Sequence, residues 1–318
     1  MSVKAGDIQL SNRIIRNFKQ DDMPLLGELY QAVSAEHALF WWVGDQENWD
    51  NVFCAFEDGK MVAKGQVGVI NIVPPGCEPG CKHHIYVNLK ALPERERDYD
   101  LLDELYKALY ERAVVLMKTL PETYGTYLCV GNYAHEIGNN DFFTEKAGFR
   151  HLENLYSMKR SLEEPIPDFP LEDRYRHRLW KMEHAEEEAA YLKLEAEIWP
   201  ETPLGLERLR EYKANPNWIT MNVLEGDTVI GSTMAWLEEG DKGAIEDVFV
   251  REAWRQRGIA KYLLYRAMSY LQDHGAASVR LQVKAANETA LSLYQSVGFA
   301  KDQEEHRFYL PLGRGAIN

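Results

Sequence analysis

The chain is poor in cysteine, with four residues (Cys54, Cys77, Cys81 and Cys129) in 318. That is too few for a disulfide scaffold, and reduced thiols in a cytosolic protein are the default. Long apolar runs are missing too. The longest stretches, such as Ala38–Val43, fall far short of the about 20 residues a membrane span needs. Met1–Arg13 carries Asp7 and no signal-like apolar segment. These absences set aside membrane insertion and secretion, and a cytoplasmic protein is expected. Positive charge is also in deficit: 36 basic residues face 50 acidic ones, for a net charge of −14. Such a field repels phosphate backbones, so neither nucleic acid nor an anionic membrane is expected as a partner, and a cationic partner is mildly favoured. What is present is ordinary globular material, 45% apolar and 27% charged, in a length that predicts two domains.

A proline-rich stretch divides the chain. Glu163-Glu164-Pro165-Ile166-Pro167-Asp168-Phe169-Pro170 suits neither a helix nor a central strand. We expect a first domain at 1–163, a linker at 164–173 and a second domain at 174–318. The flanks read alike. Before the linker the patterns predict a strand at Ile14–Phe18, a helix at Gln20–Ala35 and a hairpin, Val52–Glu57 with Met61–Val73, turned at Asp58-Gly59. A strand at His84–Val87, a helix near 98–118, a strand at Gly125–Val130 and a short helix up to Gly148-Phe149 follow. After the linker come a strand at Arg176–Lys181, helices at Ala185–Trp199 and Leu204–Lys213, and a hairpin, Trp218–Leu224 with Val229–Leu237. The series ends with strand Ala244–Val250, helix Ile259–His274, strand Ser278–Val283, helix Glu288–Val297 and strand Arg307–Leu310. Lys-Ala-Gly-Phe ending at Phe149 and Ser-Val-Gly-Phe ending at Phe299 lie 150 residues apart, consistent with two copies of one αβ unit.

Chemistry concentrates in Val248-Phe249-Val250-Arg251-Glu252-Ala253-Trp254-Arg255-Gln256-Arg257-Gly258-Ile259-Ala260. A strand runs into a tight turn and a helix begins at once. Unpaired N–H groups and the positive dipole end make such a start a site for phosphate. Gly258 lets the backbone approach a ligand, Ala260 is small for the same reason, and Arg255 and Arg257 add positive charge.

Arg255-x-x-Gly258-x-Ala260 resembles the pyrophosphate loop of the GCN5-related N-acetyltransferases. Asn287-Glu-Thr-Ala290-Leu-Ser-Leu-Tyr294-Gln-Ser-Val-Gly298-Phe299 resembles a second element of that family, in the right order downstream. The resemblance covers about residues 174–312. It implies two tandem α/β (α+β) domains, each a mixed, mostly antiparallel twisted sheet flanked by helices. It further implies acetyl-CoA as co-substrate, no metal, and direct acetyl transfer to a primary amine of a small molecule, with a cationic amine favoured. The pantetheine arm would lie along Val248, Phe249 and Val250. Arg255, Gln256, Arg257, Gly258, Ile259 and Ala260 would hold the pyrophosphate, Asn287 would contact the cofactor arm, and Tyr294 would be the general acid. Glu246 is the expected base, by similarity to the polyamine acetyltransferase branch, with Asp247 as structural partner or substrate contact. Strand alternation puts these two carboxylates on opposite faces. Gln282 stands where another branch has a glutamate and cannot serve as a base. Trp199, Glu201, Glu207, Glu211 and Tyr212 are candidates to line an acceptor cleft. The duplicated layout resembles that of mycothiol synthases, which keeps open another acyl-CoA or a thiol-precursor amine. A non-catalytic acyl-CoA-binding module is the third reading. A monomer with pseudo-dimeric domains or a homodimer fits equally well.

The first half matches this pattern loosely. Ile85-Tyr86-Val87 is aligned with Val248-Phe249-Val250, no glycine occurs between Gly80 and Gly125, and Thr144 takes the place of Tyr294. Glu94, Glu96 and Asp98 would oppose a pyrophosphate, so this half is expected not to bind acetyl-CoA. Cys77-Glu-Pro-Gly-Cys81-Lys-His83-His84 has no second ligand pair at zinc-finger spacing and reads as an incidental loop. Phe40-Trp41-Trp42 reads as core or domain interface.

Overall fold

The structure, a computed structural model, describes residues 13–35, 37–200 and 202–313. In chain order its main elements are β1 (Ile14–Asn17), α1 (Met23–Ala35), β2 (Val52–Glu57), β3 (Lys60–Asn71), β4 (Lys82–Ala91), α2 (Tyr99–Met117), β5 (Gly125–Tyr133), α3 (Ile137–Asp141) and β6 (Arg150–Ser161). There follow β7 (Tyr175–Trp180), α4 (Ala185–Ile198), α5 (Leu206–Lys213), β8 (Ile219–Glu225), β9 (Thr228–Leu237), β10 (Lys242–Val250), α6 (Ile259–Asp273), β11 (Ser278–Lys284), α7 (Glu288–Ser296) and β12 (Ala300–Leu312). No helix among the described residues is long and apolar enough to cross a membrane.

Two compact units emerge. Unit 1 takes the described residues of Met1–Ile72, Lys82–Leu152 and His306–Asn318; unit 2 takes Val73–Cys81 and Glu153–Glu305. This division differs from the one expected at the linker. Residues 164–173 belong to unit 2, and the last residues of β12 belong to unit 1.

The sheet of unit 1 runs β1-β2-β3-β4-β5 and is completed by the end of β12. From β1 to β4 neighbours pair antiparallel, while β4 and β5 pair in parallel over six rungs from Lys82↔Gly125 to Val87↔Val130. Leu101, Leu105 and Leu109 recur at helical spacing on α2, so one face of that helix buries them against Ala63, Val67, Ile85 and Leu128. On α1, Leu26, Leu29 and Val33 pack on Phe18, Val52 and Phe56.

Unit 2 repeats the plan in the order β6-β11-β10-β9-β8-β7. Here the parallel pairing of β10 with β11 lasts only three rungs, Lys242↔Ser278 to Ala244↔Arg280, although both strands run on. The splay leaves the Ile245–Val250 edge of β10 beyond that ladder. The stripe Leu263, Leu264, Ala267, Met268 and Leu271 on α6 is core, as its spacing predicts. Helices α4 and α5 bury Tyr191, Leu194 and Leu209 against Trp218, Trp236 and Phe249.

β6 has no counterpart among the predicted elements, and β12 is far longer than the predicted Arg307–Leu310. Both strands are rich in charged residues, which blur period-two patterning. Yet β6 pairs with β11 over seven rungs and buries Met158 completely. The repeated Gly-Phe pairs have a plain cause. Gly148 and Gly298 take φ of +73° and +90°, which stops the helix before each, and the next amide bonds back to Phe143 O at 2.9 Å or Tyr294 O at 3.0 Å. Phe149 and Phe299 are thereby turned into their cores.

Candidate active site

One cavity of about 780 Å³ lies in unit 2, within the range of about 300–1,000 Å³ typical of small-molecule sites. Four walls enclose it: the end of β10 (Val248, Phe249, Val250), the turn into α6 (Trp254 to Lys261, without Arg257), the start of α7 (Asn287 to Tyr294) and the end of α4 (Ile198, Trp199). Val248, Phe249, Val250, Arg255, Gln256, Gly258, Ile259, Ala260, Asn287 and Tyr294, chosen from the sequence, all line it.

The turn is built around Gly258, which caps α6 at φ +76°. The first amides of α6 have no intrahelical acceptor, and the cap offers no side chain to bond them. A Cβ at Gly258 would lie 3.0 Å from the Phe169 ring, so the proline-rich segment also demands glycine here. Arg255 donates from Nε to Val250 O at 3.1 Å. Arg257 departs from expectation. Its guanidinium donates to Tyr175 Oη at 3.2 Å and Ala253 O at 3.0 Å, and the residue does not line the cavity. Lys261, which the sequence reading did not select, does line it. Its place in the first turn of α6 was the available signal.

Asn287 is the N-cap of α7, accepting from Ala290 N at 3.1 Å, which explains the Asn-x-x-Ala spacing. Tyr294 is buried, stands edge-on to Phe299 at 6.2 Å and faces the cavity. Its hydroxyl is held above the ordinary tyrosine range, first by burial and second by the charge of Glu246.

Glu246 itself does not line the cavity. Its charge also acts on Tyr212 and Arg208, and Arg208 Nε donates to Tyr212 Oη at 3.3 Å. The regular alternation of β10 is interrupted just after Glu246, because the strand is bulged there. Glu246 pairs with Met234 and Phe249 with Ser232, so two residues oppose Thr233, and Asp247 takes φ +56°. Glu246 and Phe249 therefore share a face. Asp247 Oδ2 is buried without a hydrogen-bond partner, and burial pushes the carboxyl up to about 7.

Cross-strand rows extend this face. Thr220 and Glu246 both pair with Met234, and Asn222 and Phe249 both pair with Ser232. The side-chain polar atoms of Thr220, Asn222 and Ser232 are buried and unpartnered, an arrangement that costs about 1–3 kcal/mol per group. Of the acceptor-cleft candidates, Trp199 lines the cavity, and Tyr212 stacks on Trp236 at 4.8 Å. Glu207 and Glu211 are exposed, and Glu201 lies outside the described residues. Among the described residues no group of three or more His, Cys, Asp or Glu could hold a metal ion. His83 is buried with Nε2 3.1 Å from Pro121 O, and Cys81 Sγ contacts Pro200 O at 3.8 Å.

In unit 1 the corresponding places carry different side chains. β4 runs on to Ala91, so Leu89-Lys90-Ala91, and not Ile85-Tyr86-Val87, immediately precedes the turn. Lys90 Nζ is buried, donating to Asn132 Oδ1 at 2.8 Å and pairing with Glu136. Asp98 caps α2 by accepting from Leu101 N at 3.0 Å, and Thr144 Oγ1 donates to Asn140 O at 2.8 Å.

Residues 174–299 match the acetyltransferase (GNAT) family. Mycothiol acetyltransferase of Renibacterium salmoninarum is 30% identical over 146 residues, 42% of this chain and 43% of that protein. The chain thus spans less than half the length of that curated relative. A solved GCN5-related N-acetyltransferase from Sphaerobacter thermophilus superposes at a TM-score of 0.72 and 20% identity, covering 94% of this chain and 95% of that one. A tandem GNAT protein from the clavulanic acid biosynthesis pathway superposes at 0.65 and 13% identity, covering 96% and 100%. At these identities the structural likeness establishes the fold. Residues 174–299 belong to the GNAT acetyltransferase family, and the chain has a tandem GNAT fold.

Proposed function

We propose that unit 2 transfers an acetyl group from acetyl-CoA to a primary amine of a small molecule by direct attack. The observation that carries this reading is the convergence of the open β10 edge, the side-chain-free start of α6, Asn287 and Tyr294 on one cavity of about 780 Å³. The residues present fit the co-substrate. The uncapped amides of α6 suit a pyrophosphate, with Arg255 and Lys261 beside them, and the Val248–Val250 edge suits an extended pantetheine arm.

Acetyl-CoA supplies the thioester whose acyl carbon the amine attacks. Glu246 takes the ammonium proton, directly or through water, so that the nitrogen lone pair is free. Tyr294 keeps its proton at neutral pH because burial and Glu246 both disfavour the phenolate, and it donates that proton to the departing sulfur. The new C–N bond thus replaces the C–S bond; the nitrogen gives up two protons between ammonium and amide, the first to Glu246 and on to solvent, the second to make good the one that Tyr294 gives the sulfur. The match to a mycothiol acetyltransferase favours, as a second reading, a thiol-precursor amine as acceptor. Release of CoA thiol across a panel of amines tests the proposal: turnover with at least one amine is expected, and acetyl-CoA binding without turnover on any would leave a binding module. Tyr294→Phe should lower kcat by at least about tenfold.

A further inference from the structure

Unit 1 has a cavity of its own, of about 260 Å³. Its walls are the end of β4 with the following turn, the approach to α3, and the end of α1 with the residues just after it. These are the same elements, in the first copy, that enclose the larger cavity of unit 2. It is too small for a nucleotide-bearing cofactor and falls just below the usual range for drug-sized ligands. Lys90, Glu136 and Asn139, all buried, line it together with Glu96.

The hydrogen-bond inventory of this cavity is one-sided. Lys90, its ammonium, is committed to Asn132 and Glu136. Asn139 is 3% exposed; its Nδ2 donates to Leu89 O at 3.0 Å, which fixes Oδ1 as the acceptor left over. Oδ1 is buried and has no partner. Glu96 accepts from Gly138 N at 2.8 Å through Oε1, and a carboxylate has further lone pairs to offer. Against the one ammonium of Lys90 stand the two carboxylates of Glu96 and Glu136, with His135 at the rim. Of the remaining walls, Val33, Ala38, Ala91 and Pro93 are apolar, and the exposed His135 stands at the rim.

From this we infer that unit 1 binds a small aliphatic ammonium compound, with its –NH₃⁺ between Asn139 Oδ1 and Glu96 and its short chain against Val33, Ala38 and Pro93. A cation satisfies the orphaned acceptor and the excess negative charge at once, which an anion or a neutral hydrocarbon does not. The site is independent of acetyl-CoA and of the reaction assigned to unit 2.

Saturation-transfer NMR on the full chain at pH 7, with butylammonium as probe and 1-butanol as its neutral counterpart, tests the inference. Butylammonium should give signal and 1-butanol none. Read at the Asn139 side-chain amide, so that amine held in unit 2 is not counted, Glu96→Gln, which keeps an oxygen for the Gly138 amide, should weaken binding at least about fivefold, while Glu111→Gln on the exposed face of α2 should leave it unchanged. Without any variant, the side-chain amide resonance of Asn139 should shift on titration with butylammonium. Absence of that shift, an equal shift with 1-butanol, or a shift that Glu96→Gln leaves as strong as before would overturn the assignment.

Discussion

Helices α2 and α6 occupy the same place in the two units, each following a strand and one short 3₁₀ turn, yet they begin differently. Asp98 caps α2. Its Oδ1 takes the Leu101 amide, and its Oδ2 pairs with Arg95 and Arg13. Gly258 caps α6 with no side chain at all. The first helix end is committed to the protein's own carboxylate, and the second is open to a ligand's. The adjoining strands differ in the same sense. The β4–β5 ladder is long and Lys90, Glu136 and Asn139 bridge the ground beyond it, whereas β10 leaves β11 after Ala244 and a large cavity opens. One fold thus makes either a large cavity beside an open helix end or a small one walled by a buried polar network, depending on a cap, a few long side chains and the length of one ladder.

The contrast can be broken most severely at Gly258. Gly258→Glu sets a carboxylate at the open helix end, forces a side chain onto φ +76° and drives its Cβ against Phe169. CoA binding measured by calorimetry should be lost, and turnover with it.

A second contrast lies in the acids. Glu57 of unit 1 is held down to about 2, chiefly by its hydrogen bond from Arg95, so its ion pairing stabilises the fold above its unfolded value and is lost as pH falls towards 2. Asp247 of unit 2 is pushed up to about 7 by burial. The folded state then holds a proton that the unfolded chain gives up, and stability is lost as pH rises from the unfolded value near 4 through 7. Asp247→Asn removes that penalty. It should raise stability at pH 8 by an amount on the order of 1 kcal/mol and much less at pH 5, as read by thermal melts at both.

The smallest effect is expected at the closed helix end. Asp98→Ala should cost about 1 kcal/mol of stability through the lost cap, while leaving CoA affinity unchanged. A gain of CoA binding would mean that the cap alone separates the two units.

Much of the site was legible because its residues lie on one strand–turn–helix path, where local spacing carries geometry. Arg255, Gln256, Gly258, Ile259, Ala260, Asn287 and Tyr294 needed only that path. The β10 bulge was not legible. Left-handed backbone at Asp247 has no glycine to announce it, and it resets which side chains share a face. Lys90 and Glu136 meet across 46 residues, a pairing no local pattern records. The alignment of Ile85–Val87 failed because β4 continues to Ala91 through Asn88 and Lys90, polar residues that look like a strand end until their buried partners are known. The unit division was hidden for a related reason. β6 and the first half of β12 carry too many charges to read as strands, and the residues of both strands fall in both units.

The central claim is that one unit holds the co-substrate and the other has given up that capacity. Isothermal titration of the full chain with acetyl-CoA tests it most directly. One molecule bound per chain, abolished by Gly258→Glu, is predicted. Two equivalent sites per chain, or a single site that survives Gly258→Glu, would contradict it.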